Sequence, residues 1–217
     1  MAYDIILFDL DGTLTDPGIG ITNAVIYALK QYDIQVENRE ELYRFIGPPL
    51  LESFQSFFGF AEEDAEQAVI YYRDYYREKG IFENYVYPGM DMLLGRLRRA
   101  GKALLVATSK PEEFALQILE NFKLAEHFTV IAGASMDGSR IRKADVIDYA
   151  LKQYGMDERE QVLMVGDRKH DILGAKEIGI ASAGVLYGYG SREELEAAGA
   201  DYIVSCVDNL YPLIVKE

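Results

Sequence analysis

The sequence has no tryptophan, one cysteine and two histidines among its 217 residues. A single thiol, Cys206, cannot close an intramolecular disulfide, which fits a reducing compartment. Its context, Ile203-Val204-Ser205-Cys206-Val207, reads as the end of a buried strand, with the thiol as inert packing. So few histidines and cysteines leave zinc without its usual ligands. Basic residues are also scarce: 22 Lys and Arg face 36 Asp and Glu, a net charge of −14. A chain this acidic does not track a nucleic-acid backbone or an anionic membrane by charge, so neither is expected as a partner. No apolar run approaches the ~18 residues of a membrane span. The start, Met1 to Asp16, lacks a basic stretch, and its apolar run stops at Leu10, unlike a signal peptide. A cytoplasmic location is therefore expected.

What is present is core-forming material. Hydrophobic residues make up 49% of the chain and charged ones 27%, which excludes disorder. Several apolar runs are short, β-branched and continuous: Ile5–Phe8, Ala103–Ala107, Phe128–Ile131, Val162–Val165, Ala181–Val185 and Tyr202–Val204. Continuous apolarity means burial on both faces, as in a parallel sheet covered by helices. Helical patterns over 89–100, 111–121, 143–154 and 169–178 alternate with these runs, the last two stopping at Gly155 and Gly179. The expected fold class is α/β, with a Rossmann-like, mostly parallel sheet flanked by helices.

Between Thr15 and Tyr87 no strand is expected. Ile21, Ala24, Val25, Ala28, Leu29 and Tyr32 share one face of a helix, shorter helices cover 40–45 and 50–58, and a long one spans 62–79. Tyr71, Tyr72, Tyr75 and Tyr76 are expected to pack one face of that helix. The chain thus divides into a core (1–15 and 88–217) and an all-helical insert (16–87).

In open parallel sheets, ligands bind at the carboxyl ends of the strands. Those ends carry Asp9 and Asp11, then Thr108-Ser109-Lys110, then Gly166-Asp167 with Asp171. A single aspartate in such a place is often a turn or helix cap. Four at one sheet edge need a cation, and an all-oxygen shell with room for water and phosphate suits magnesium. Lys110 either faces substrate or is solvated, and His170 reads as a surface residue among charges. Lys143 opens an amphipathic helix, and Arg140 and Arg142 compete with it as the site's cation.

Asp9-Leu10-Asp11-Gly12-Thr13 resembles the first motif of the haloacid-dehalogenase-like superfamily, Asp-x-Asp-Gly-Thr. Thr108 fits its second motif and Gly166-Asp167 with Asp171 its fourth. Lys143 fits the third by position, although Ala144 stands where a proline usually follows. The helical insert resembles that superfamily's cap, and the chain looks like its phosphoglycolate-phosphatase branch. The resemblance implies an Asp9 nucleophile that forms an aspartyl-phosphate, with Asp11 as general acid and base. Magnesium would be held by Asp9, Asp167 and the backbone carbonyl of Asp11. Gly12, Thr108, Ser109 and Lys143 would bind phosphate, and Asp171 would support them by orienting a metal-bound water or pairing with Lys143. Dehalogenases of the superfamily lack the second aspartate, so Asp11 points to phosphate chemistry. A cap loop carrying Arg44 and Gly47 is expected to screen the leaving group.

The function so implied is a magnesium-dependent phosphatase acting on a small-metabolite phosphate monoester, either phosphoglycolate-like or a nucleoside 5′-monophosphate. A β-phosphoglucomutase-like phosphomutase and a non-catalytic binding protein on the same scaffold are the alternatives. Monomer and homodimer both remain open.

Overall fold

The computed structural model describes residues 3–156 and 159–215. The chain forms two compact units, Met1–Thr15 with Val86–Glu217, and Asp16–Tyr85.

The first unit is built on a six-stranded parallel sheet: β1 (Ile5–Phe8), β4 (Ala103–Pro111), β5 (Val130–Ala134), β6 (Val162–Gly166), β7 (Ala181–Val185) and β8 (Tyr202–Val204). Their spatial order is β5-β4-β1-β6-β7-β8. β1 pairs with β4 on one side, Phe8 opposite Val106, and with β6 on the other, Phe8 opposite Val165. Ile6, Leu7 and Phe8 are fully buried, as a strand covered on both faces requires. The helices are α4 (Met90–Arg99), α5 (Glu112–Asn121), α6 (Lys143–Tyr154), α7 (Lys169–Ile178), α8 (Arg192–Ala198) and α9 (Leu210–Val215). α6 and α7 end at Gly155 and Gly179, with φ of 80° and 79°. A side chain there would be strained, so glycine sets both helix ends. Strand order reverses about β1, and the carboxyl ends of strands at such a switch point are where open α/β sheets bind ligands.

The second unit contains α1 (Gly18–Lys30), a 3-10 segment (Arg39–Phe45), α2 (Leu50–Phe58) and α3 (Glu62–Glu78). α1 buries Ile21, Ala24, Val25, Ala28 and Leu29 along one stripe. Tyr72 and Tyr76 of α3 are buried and stacked, with ring centroids 5.4 Å apart. Tyr71 and Tyr75 are only half-buried, and the Tyr75 hydroxyl donates to Glu83.

Several expectations are corrected. The 15–87 segment begins and ends in two-residue strands, β2 (Thr15–Asp16) and β3 (Tyr85–Val86), too short to leave any periodicity. β5 starts at Val130, because Phe128 closes a short turn (Ala125–His127), and it runs on through Ala132, Gly133 and Ala134. Small residues of this kind carry little hydrophobic signal. Cys206 is exposed rather than buried: β8 is a half-buried edge strand that ends at Val204, and the cysteine lies beyond it. His170, the second residue of α7, is half-buried rather than on the surface. Burial and the neighbouring Arg168 and Lys169 lower its pKa.

Candidate active site

The chain leaves β1 at Phe8, so Asp9 emerges at the switch point of the sheet. Its side chain is 12% exposed, and Lys143 Nζ lies 2.9 Å from its Oδ1. The same ammonium lies 2.8 Å from Asp171 Oδ1 and donates to the Ala107 carbonyl in β4 (3.1 Å). Lys143 is 93% buried as a residue, and burial by itself lowers an ammonium's pKa. Here Asp171 and Asp9 override that effect and raise it, so the group stays charged. Of the three cations that competed for this place, Lys143 occupies it. Arg140 pairs with Glu112, and Arg142 pairs with Glu177 and Asp145.

Asp167 follows β6 and is completely buried. Its Oδ1 accepts from the Thr13 hydroxyl (3.3 Å) and its Oδ2 from the Tyr189 amide (2.8 Å). Burial and the nearby Asp171 and Asp9 push its pKa well up. Asp171 is the third residue of α7, and its Oδ2 accepts from the Arg168 amide (3.1 Å). It therefore caps α7 with one oxygen and faces Lys143 with the other. Burial raises its pKa against the pull of Lys143.

Asp11 pairs with Lys110, whose side chain is 6% exposed. Of the two readings left open for Lys110, free solvation is the one that this pairing removes. Burial raises the Asp11 pKa, and Lys110 opposes that shift. Such a carboxyl can hold a proton for part of a reaction cycle.

Oxygens of Asp9, Asp167 and Asp171 lie within 4.8 Å of one another. Oδ1 of Asp9, Asp11 and Asp171 are buried and accept no aligned hydrogen bond among the described residues, while Lys143 Nζ stands 2.9 and 2.8 Å from those of Asp9 and Asp171. Three carboxylates crowd together beside the one ammonium of Lys143, in a site where each desolvated ion costs several kcal/mol. A divalent cation with oxygen ligands fits both the charge and the donor set.

Thr108 is buried, and its Oγ1 accepts from the Lys110 amide (3.2 Å), leaving the hydroxyl hydrogen for an anion. Ser109 beside it is half-buried. Gly12, expected to offer its amide to phosphate, donates that amide to the Thr15 carbonyl instead (2.8 Å). Its role is steric. With φ at 81°, a Cβ there would run into the Asp167 carboxylate. In the second unit, Arg44 is exposed and stacks on Phe57, 4.3 Å from the ring centroid, while Gly47 is exposed with φ at 105°.

Sequence reading missed the loop after β7, Tyr187-Gly188-Tyr189-Gly190. A Cβ at Gly188 would collide with the Gly12 carbonyl and Asp167, and one at Gly190 with the Asp167 backbone. The Tyr187 hydroxyl donates to the Thr13 carbonyl (3.2 Å). The available signal was positional, since these residues follow an apolar strand as the aspartates do.

Residues 6–185 match the haloacid dehalogenase-like hydrolase family. A 5′-nucleotidase of Pseudomonas aeruginosa is 46% identical over 197 residues, covering 91% of this chain and 89% of that protein. The tyrosine-protein kinase PtkA of Mycobacterium tuberculosis is 42% identical over 192 residues, covering 88% of this chain and 65% of the kinase. The crystal structure of a predicted phosphatase from Clostridium acetobutylicum superposes with a TM-score of 0.94 at 49% identity, over the full length of both chains.

Proposed function

The chain belongs to the haloacid dehalogenase-like hydrolases, and from that premise we propose that it is a magnesium-dependent phosphatase that hydrolyses a small phosphate monoester through an aspartyl-phosphate on Asp9. The observation that carries this reading is the buried group of Asp9, Lys143 and Asp167 at the switch point of the sheet, with a second carboxylic acid, Asp11, beside it.

Asp9 attacks phosphorus and breaks the bond to the ester oxygen, becoming an acyl phosphate. Asp11 gives its proton to the departing alkoxide, then takes one from the water that attacks the acyl phosphate, so phosphate leaves and both carboxylates return to their starting forms. Lys143 and the Thr108 hydroxyl hold phosphoryl oxygens, and Lys143 also orients Asp9. Asp9, Asp167, Asp171 and the Asp11 carbonyl are the groups that would hold magnesium. When bound, the ion supplies positive charge against the phosphoryl oxygens.

The likeness to the Pseudomonas 5′-nucleotidase supports nucleoside 5′-monophosphates as the first substrates to try. The resemblance to phosphoglycolate phosphatases adds phosphoglycolate. Arg44 and Gly47 are proposed as determinants of leaving-group preference. The test is a panel of phosphate monoesters with magnesium, ranked by kcat/KM, with Asp9→Asn and Arg44→Ala run in parallel. Turnover of at least one monoester, lost in Asp9→Asn and re-ranked in Arg44→Ala, is expected. No turnover of any monoester, or turnover that survives Asp9→Asn, would sink the phosphatase reading. A uniform fall across substrates in Arg44→Ala would remove Arg44 from leaving-group selection.

A further inference from the structure

We infer that Arg140 and Glu112 form a positioning pair that holds Lys143 in register with the end of β4, and through Lys143 aims Asp9. The inference rests on the phosphatase reading for its kinetic consequence, though not for its geometry.

Lys143 is the first residue of α6, and the segment leading into it from β5 is exposed at Met136 and Ile141. Ala144 follows Lys143, so no proline ring stiffens the backbone at that point. The stiffening comes from elsewhere. Arg140 Nε donates to the Gly133 carbonyl (2.9 Å) and its Nη2 to Glu112 Oε2 (2.9 Å). The same Glu112 oxygen accepts from the Gly133 amide (3.2 Å). The guanidinium lies 3.6 Å over the ring of Tyr149, on α6 itself. At the base of the turn, the Ser135 amide donates to the Arg140 carbonyl (2.9 Å) and the Arg140 amide to Ser135 Oγ (2.8 Å).

Glu112 is the first residue of α5, directly after the strand end that carries Thr108 and Lys110. At Gly133 even a Cβ would strike the Glu112 backbone, so β5 and the start of α5 are already in the closest contact their backbones allow. Arg140 thus joins three segments: the exit of β4, the exit of β5 and the first turns of α6. Lys143 reaches back across the same gap to the Ala107 carbonyl. The spacing that Lys143 needs is the spacing that Arg140 and Glu112 set.

Side-chain exposures of 20% for Arg140 and 41% for Glu112 mean that the ion pair adds little to stability. Its value is geometric, because one planar guanidinium satisfies two acceptors and a ring face at once. Arg142, two residues on, is the natural contrast. It pairs with Asp145 and Glu177, and its side chain is 61% exposed.

The experiment compares Arg140→Ala, Arg140→Lys, Glu112→Gln, the Glu112→Gln/Arg140→Ala double variant and Arg142→Ala. One readout is kcat and KM on p-nitrophenyl phosphate with magnesium. The second is the 15N resonance of the buried Lys143 ammonium, assigned by its loss in Lys143→Arg. Loss of aim at Asp9 is expected to lower kcat by ~10-fold or more in Arg140→Ala and Glu112→Gln, with KM moving less than ~3-fold. The double variant should be no worse than the poorer single, as for two halves of one device. Arg140→Lys should fall between, and Arg142→Ala should match the parent protein. The ammonium resonance should shift or broaden in Arg140→Ala and stay in place in Arg142→Ala. Parental kcat in a folded Arg140→Ala protein, an equal loss in Arg142→Ala, or an unmoved ammonium would overturn the inference. If Arg140→Ala does not fold, Arg140→Lys and Glu112→Gln decide by the same criteria. If the parent protein hydrolyses no phosphate monoester, the phosphatase reading fails, and the ammonium resonance alone decides on the positioning pair.

Discussion

Lys110 and Asp11, 99 positions apart in the chain, form an ion pair at the carboxyl ends of β4 and β1. Burial, the largest influence on Asp11, raises its pKa and outweighs Lys110, the strongest of those that lower it. Lys110→Met removes the strongest opposing influence, so the Asp11 pKa should climb further. Because Asp11 acts as an acid in the first step, the alkaline limb of kcat/KM on an alkyl phosphate should move to higher pH. A pH–rate profile of the two proteins checks this; an unmoved alkaline limb would mean that the pair does not tune the acid.

Asp9 and Asp11 should fail differently. Asp9→Asn removes the nucleophile, and no phosphoryl group should appear on the protein. Asp11→Asn keeps the nucleophile and should lose ~10² or more in rate on an alkyl phosphate, the usual contribution of general acid–base catalysis. On p-nitrophenyl phosphate, whose leaving group needs little protonation, Asp11→Asn should phosphorylate Asp9 and then stall. Rapid quench with intact-protein mass spectrometry distinguishes the two variants.

Metal dependence has a thermodynamic signature beside the kinetic one. Magnesium should raise Tm in proportion to the logarithm of its concentration above Kd, since it binds the native cluster of Asp9, Asp167 and Asp171 and not the unfolded chain. Excess chelator should abolish turnover, and calcium should inhibit, because it takes more ligands at longer distances and spoils the aim of Asp9. Asp167→Asn should raise the metal-free Tm, because it deletes a buried charge crowded by two others, and should flatten the response to magnesium. Differential scanning calorimetry with and without the ion measures both.

The loop after β7 offers a purely steric test. Gly188→Ala places a methyl group against the Gly12 carbonyl and Asp167, neither of which can move cheaply. Overpacking of this kind should cost ~1–3 kcal/mol and displace Asp167, so magnesium affinity should fall along with stability. Gly138→Ala is the comparison. Its Cβ meets nothing within 4 Å, and only its φ of 77° opposes the change, so it should cost about 1 kcal/mol and leave magnesium binding intact.

Much of this arrangement was legible because buried strands announce themselves and their last residues are then known. Asp9, Thr108 and Asp167 were found in that way. Lys143 was separated from Arg140 and Arg142 by where the amphipathic face of α6 begins. Lys110 was undecidable, since its partner depends on β1 lying next to β4 and not on anything near it in the chain. Gly12 was expected among the phosphate-binding residues, yet its own amide goes to the Thr15 carbonyl, and a sequence does not say which carbonyl an amide will find. Tyr187 to Gly190 escaped notice because backbone amides and missing side chains bear no chemical label. Cys206 was misjudged because an edge strand can stop two residues earlier than its apolar run suggests.

The contacts that assemble this site span long stretches of chain, with Thr13 reaching Asp167 across 154 positions. None of the site's ion pairs forms within a single helix or hairpin. A nascent chain that has made β4, β5 and α6 already carries Lys143 and Lys110, yet the contacts of Asp167 wait for β6 to dock beside β1. Closing loops of that length is the slow part of folding a parallel sheet. The site exists only where β1 is paired with both β4 and β6, so turnover reports on the assembly of three distant chain segments, which helix content does not.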